Sequence, residues 1–256
     1  MSAQPDALPI AAPVRRSHAA AHTPLAAWGR AWGTALLEIR LNLSGPGPWI
    51  MAVVLALFGV ATVWMATDNA SFPVAWILSH KIGPLVSVLL LFLAASLAHR
   101  PQRYDLTELL DSKVVAGEEL IFGRWLGMMT AILIPVALGY VAAMIGQAVH
   151  SKSPVEPLAY LRSLGRLLPP ILFFCTLAFC LVTVTRVLVL GAGLAGLVWF
   201  GLHFGEDVLP TPLRIDLSQN NGVFLGLTVL ALLVMLVGYR GTRREKRAKS
   251  NRGSVK

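Results

Sequence analysis

Charge is scarce in this chain: Asp, Glu, Lys and Arg make up 14% of its 256 residues, against roughly 25% in an ordinary soluble domain, while 55% are hydrophobic. Nearly every charge falls between long uncharged runs, so the runs read as membrane spans and not as core helices. A soluble enzyme, a disordered chain and a secreted disulfide scaffold are excluded. Cysteine is almost missing too. Cys175 and Cys180 share one apolar run at an offset that points them to different helix faces, so they read as small packing residues and imply no oxidising compartment. Carboxylates are missing from the spans: all 13 acidic residues, from Asp6 to Glu245, map to loops, tails or an amphipathic segment. Proton- and sodium-coupled porters usually place such a group near the midplane, so a secondary transporter is disfavoured.

Catalytic and cofactor signatures are missing as well. No histidine pair has metal spacing, neither H-E-x-x-H nor G-x-S-x-G occurs, and the histidines are scattered at positions 18, 22, 80, 99, 150 and 203. The chain therefore reads as a non-enzyme with no metal and no bound cofactor. No lysine follows a glycine, so there is no phosphate-binding G-x-x-x-x-G-K loop, and any nucleotide that drives this protein sits on another chain. The net charge of +9 lies at the ends of apolar segments, which points to membrane orientation and contact with anionic lipid, not to nucleic acid.

Residues 1–23 are rich in Ala and Pro, carry Arg15 and Arg16 and hold no useful apolar stretch; they read as a flexible cytoplasmic tail, not a cleaved signal. From Leu25 the apolar residues Leu25, Trp28, Trp32, Leu36, Ile39 and Leu43 recur at steps of three and four, with Arg30, Thr34 and Glu38 on the other side. Residues 24–44 are thus predicted to form an amphipathic interfacial helix anchored by Trp28, Arg30 and Trp32, although Leu37 and Leu41 spoil its polar face. Gly45-Pro46-Gly47-Pro48 ends it before the membrane begins.

Six spans are expected over residues 45–239, at about 48–66, 82–98, 124–149, 167–185, 187–205 and 222–239, each near the length that crosses roughly 30 Å of hydrocarbon. Phe72 to Lys81 is placed at the outer interface, and Pro135 is a candidate kink. Arg186, alone in the middle of a long apolar segment, fits two short spans joined by a tight turn better than one helix of about twice bilayer length. Gly191, Ala192, Gly193, Ala195 and Gly196 allow close helix approach, within one subunit or at a dimer seam. Residues 240–256 form a basic tail. Six crossings put both termini on one side, and all Lys and Arg except Lys81, Lys152, Arg162, Arg166 and Arg214 fall on that side, which is therefore cytoplasmic. The expected location is the plasma membrane, the inner membrane of a bacterium.

The most informative stretch is the cytoplasmic loop at 99–123. Asp105 stands three residues before Glu108 and suits the start of a short helix on which Leu106, Leu109 and Leu110 form an apolar patch. Asp111-Ser112-Lys113 breaks it. A second helix begins near Gly117, where Glu118 and Glu119 suit a positive helix end, and runs past the interfacial anchors Arg124 and Trp125 into the third span. A solvated connector has little reason to carry a leucine pair on a short capped helix; a docking helix for a cytoplasmic partner does.

Leu109-Leu110, Ser112, Val114-Val115-Ala116, Glu118-Glu119 and Leu120-Ile121-Phe122-Gly123-Arg124-Trp125-Leu126-Gly127 together resemble the coupling segment of type-2 ABC exporter permeases. The chain departs from that pattern at His99-Arg100, where an acidic pair is frequent, and at Val114, where proline is common. The resemblance implies an all-α integral membrane fold of six transmembrane helices preceded by an elbow helix. It further implies a homo- or heterodimer of permease subunits, each docking a cytoplasmic ABC ATPase subunit that carries ATP and Mg, with Asp105, Leu106, Glu108, Leu109, Leu110, Glu118 and Glu119 at the docking surface. Spans without charge favour an amphipathic or apolar substrate. A membrane scaffold that recruits a cytoplasmic partner through residues 104–122 without transport accounts for the same loop, and differs in leaving the partner's ATP turnover unstimulated.

Overall fold

The computed structural model describes residues 24–68, 73–103, 117–150, 154–204 and 221–253, which are almost wholly helical and include no strand. Helix α1 (Pro24–Leu43) and helix α2 (Pro46–Asp68) are separated by a turn at Ser44 and Gly45. Pro46 can open α2 because the first N–H groups of a helix have no intrahelical partner. A short helix α3 (Val74–Ile77) passes through a π turn at Leu78–Ile82 into α4 (Gly83–Arg103). The remaining helices are α5 (Gly117–His150), α6 (Pro157–Thr185), α7 (Leu188–Phe204) and α8 (Asn221–Gly253).

Five apolar helices are long enough to cross a membrane: Pro46–Ala66, Val74–Arg100, Glu118–His150, Pro157–Thr185 and Asn221–Gly238. The sixth apolar helix, α7, is shorter, at 17 residues. Their outer surface is what a lipid-facing bundle requires. Trp49, Val53, Leu57, Val60 and Trp64 form an exposed stripe on α2 at steps of three and four, and Leu138, Val141, Ile145 and Val149 form another on α5. The buried centre is supplied by α4 and α6, through Leu90, Leu91, Ala94, Ile171, Phe174 and Phe179. Cys175 and Cys180 are buried there as free thiols.

Two segments are helical where the sequence pointed elsewhere. The second apolar helix starts at Val74, well before residue 82, and Val74, Ala75, Ile77 and Leu78 are buried in the core. The polar groups of this stretch are satisfied locally: Ser79 Oγ donates to the Trp76 carbonyl at 3.1 Å, and His80 Nδ1 lies 3.1 Å from the same carbonyl and 2.9 Å from Ser79 Oγ. The widened π turn precedes Pro84, whose ring crowds the carbonyl one turn back in a regular helix. Residues 157–166 were expected in a polar loop, yet they form the first turns of α6. Tyr160 and Ser163 find partners inside the bundle. Tyr160 Oη donates to Gln147 Oε1 at 2.5 Å, Ser163 Oγ donates to the Ala75 carbonyl at 2.7 Å, and Tyr140 Oη lies 3.1 Å from Ser163 Oγ.

Between α6 and α7 the chain turns at Arg186, in the left-handed conformation (φ 57°), whose N–H caps the Val182 carbonyl at 2.9 Å. Gly191 lies against Val182 of α6, whereas Gly193 and Gly196 face open space. Phe173 and Phe174 belong to the core with Phe224, while Phe200 is exposed. Pro135 and the pair Pro169-Pro170 sit inside helices that continue through them.

Helix α5 is the long rail of the structure. Its first turns carry α1 and its later turns carry α2, both running in the same direction as α5, since Gly127 meets Ala35 to Ile39, Gly139 meets Leu55, and Gly146 meets Val60 to Val63. The α2–α5 approach is so close that a Cβ on Gly59 would run into the Gly139 carbonyl oxygen.

Candidate functional site

The sequence-selected residues that the structure describes converge on the junction of α1 with the first turns of α5. Helix α1 turns a stripe of small and polar residues toward α5: Ala31, Ala35, Glu38 and Asn42 are buried. Its bulky residues Trp28, Trp32, Leu36, Leu37 and Leu41 are exposed. The cause lies in α5, where Gly123 and Gly127 remove two side chains from one face and let the helix backbones approach. A Cβ at Gly123 would stand 2.6 Å from the Ala31 carbonyl oxygen, and one at Gly127 would stand 2.6 Å from Glu38 Cβ. The α1 backbone reaches that surface because the two glycines present no side chain to it.

Charges lock this packing. Arg30 donates from Nε and Nη2 to the two carboxylate oxygens of Glu119, both at 2.7 Å, the paired geometry that matches a guanidinium to a carboxylate. This pair is partly exposed and is worth little by itself in stability; it raises the pKa of Arg30 through the Glu119 hydrogen bond. The second pair is deeper. Arg124 Nε lies 3.3 Å from Glu38 Oε1, with both side chains only 10% exposed. Burial pushes the Glu38 carboxyl above its usual range, and the attraction of Arg124 and Arg100 offsets this only in part. Arg124 also donates from Nη2 to the Ala98 carbonyl at 3.2 Å, and Arg100 donates to the Leu41 carbonyl at 2.7 Å. These four contacts knit α1, α4 and α5 into one unit.

Comparison with family models and with curated proteins gives no match.

The aromatic anchors extend the same unit. Trp28 packs 6.0 Å from Phe122, and Phe122 packs 5.7 Å from Trp125. Trp125 reaches away from α1 and donates from Nε1 to Thr176 Oγ1 on α6 at 2.9 Å, which ties the junction to the core. Arg30 and Arg124 are therefore engaged with protein carboxylates and not simply held at a membrane surface. Glu119, assigned by the sequence to partner docking, is committed to Arg30; Glu118 stands beside it in the first turn of α5. Asp105, Leu106, Glu108, Leu109 and Leu110 lie outside the described residues.

The sequence analysis missed the pairing. Arg30 and Glu119 are 89 residues apart, and no local pattern joins them. Gly123-x-x-x-Gly127 carried the available signal, because a small-residue pair one turn apart marks a helix surface prepared for a close neighbour. Among the described residues no group of three or more His, Cys, Asp or Glu side chains could hold a metal ion.

Proposed function

We propose that this chain is the membrane-spanning permease subunit of an ATP-driven ABC exporter, which docks a separate ATPase through residues 104–122 and moves an amphipathic or apolar substrate. The observation that carries this reading is the construction of the junction. The helices on either side of residues 104–116 are both fastened to α1, α4 through Arg100 and α5 through Glu119 and Arg124, and Arg124 ties α5 to α4 as well. A push on that segment is delivered to α1, α4 and α5 together, and α5 carries it along α2. A solvated connector has no need of such anchorage, and the loop's resemblance to exporter coupling segments supports the same conclusion.

In this reading there are six crossings, α7 being the short one, α1 is the interfacial elbow, and the subunit works as a dimer with ATP and Mg on the partner ATPases. The test is to purify the tagged chain in mild detergent from its native host, identify the co-purifying proteins and assay ATP hydrolysis beside Leu109→Arg/Leu110→Arg. A bound ATPase stimulated by the wild type and lost from the double variant, with insertion unchanged, is the expected result. No ATPase, or one that hydrolyses equally with both forms, overturns it; binding without stimulation is the signature of a scaffold.

A further inference from the structure

At the end of the bundle opposite the α1–α5 junction, a cleft of about 190 Å³ opens between the starts of α4, α6 and α8 and the end of α7. One water needs roughly 10–15 Å³ on this measure, so the cleft has room for a head group and its first methylenes. Two of its walls are built alike. Trp76 and His80 are four residues apart with rings stacked at 4.6 Å, and Trp199 and His203 repeat the arrangement at 4.5 Å. In both modules the imidazole Nδ1 lies 3.1 Å from the tryptophan carbonyl, and in the first it also lies 2.9 Å from Ser79 Oγ. The stacking and these contacts hold the ring planes, with Nδ1 turned to the backbone of its own helix. Arg166 of α6 lines the cleft with the two histidines, Leu202 and Phe224 give it an apolar side, and no carboxylate of the described residues lines it.

We propose that this cleft binds the phosphate monoester head of an amphiphile, with Arg166 and the two histidines on the phosphate and the Leu202–Phe224 side against the first methylenes of its tail. A guanidinium matches phosphate oxygens in a fork. A monoester presents three non-ester oxygens, enough for the Arg166 fork and for both imidazoles. A phosphodiester presents only two. The proposal stands on the cleft alone and is independent of the exporter reading.

The test uses the full chain in a neutral detergent and measures heats of binding for dihexanoyl phosphatidic acid, for dihexanoyl phosphatidylcholine with the same tails, and for inorganic phosphate. The variants are Arg166→Gln and His80→Phe/His203→Phe, the latter keeping a ring on each tryptophan; tryptophan circular dichroism checks the fold. Phosphatidic acid should bind the wild type at least tenfold more tightly than phosphatidylcholine does, and each variant should weaken it at least tenfold. Competition by inorganic phosphate at similar concentration assigns the site to free phosphate, and lack of competition assigns it to a lipid head group; both support phosphate recognition. Equal binding of the two lipids, or folded variants that bind like the wild type, overturns the proposal.

Discussion

Replacing Gly127 by alanine sets two physical effects against each other, and the structure decides between them. In an open helix the change stabilises by roughly 0.5–1 kcal/mol, because alanine loses less conformational freedom on folding. At this position the new Cβ would stand 2.6 Å from Glu38 Cβ and 2.8 Å from the Ala35 carbonyl oxygen, where ordinary contact begins at 3.4 Å. Both neighbours are fixed to the α1 backbone and cannot rotate away, so α1 must withdraw by about 0.6–0.8 Å in a tightly packed interface. A shift of that size takes the 3.3 Å Glu38–Arg124 contact to the edge of ion-pair range in a poorly hydrated site. Overpacking of this kind costs about 1–3 kcal/mol, which outweighs the helix gain. Gly33→Ala, on the partner helix α1 with nothing within 4 Å, is the control and should be neutral or slightly stabilising. Cys175 and Cys180, 0% and 9% exposed, serve as internal reporters: a thiol-reactive fluorophore labels them as the detergent-solubilised chain unfolds on heating. Gly127→Ala should melt below both the wild type and Gly33→Ala. If it melts no lower than Gly33→Ala, the close α1–α5 approach is refuted.

Glu38 gives a pH prediction. Because burial raises its pKa, the folded state holds the proton more readily than the unfolded chain; its stabilising contribution is complete below the ordinary glutamate value of about 4.3 and is lost as pH rises through the raised value. Tryptophan-fluorescence melts should therefore show the wild type losing stability relative to Glu38→Gln across that window, and parallel pH curves count against it. Trp125→Phe strands the fully buried Thr176 hydroxyl and should cost about 0.5–1.5 kcal/mol, with less further loss when Thr176→Val is added; additive losses in that double-variant cycle would dismiss the bond. Arg186→Gly relieves the left-handed backbone and should raise the melting midpoint by the equivalent of about 0.5–1 kcal/mol, whereas a lowered midpoint would argue that the side chain matters more than the turn.

The membrane-spanning character and most helix ends were legible because lipid imposes long uncharged runs, and because Gly45-Pro46 and Arg186 interrupt them sharply. Residues 74–81 and 157–166 were misread for a shared reason. Each carries polar residues that look like surface, yet inside the bundle Tyr160 bonds Gln147 while Ser163 bonds the Ala75 carbonyl and Tyr140, a cancellation that no one-dimensional pattern displays. The orientation of α1 was half legible. Its amphipathic period was plain, but which face meets protein depends on Gly123 and Gly127, far along the chain. The docking residues were chosen by pattern and resemblance, and what the structure describes is the anchorage of the helices on either side of residues 104–116.

The short reach of α7 has a consequence for the surroundings of the protein. Seventeen residues rise about 26 Å, a few ångströms less than a typical hydrocarbon core, and the two-residue turn at Arg186 leaves the helix no slack to borrow from a loop. If α7 is the sixth crossing proposed above, it gains nothing by tilting and draws the bilayer inward around itself. The protein should accordingly favour thinner membranes, and its stability in vesicles should decline as the acyl chains are lengthened.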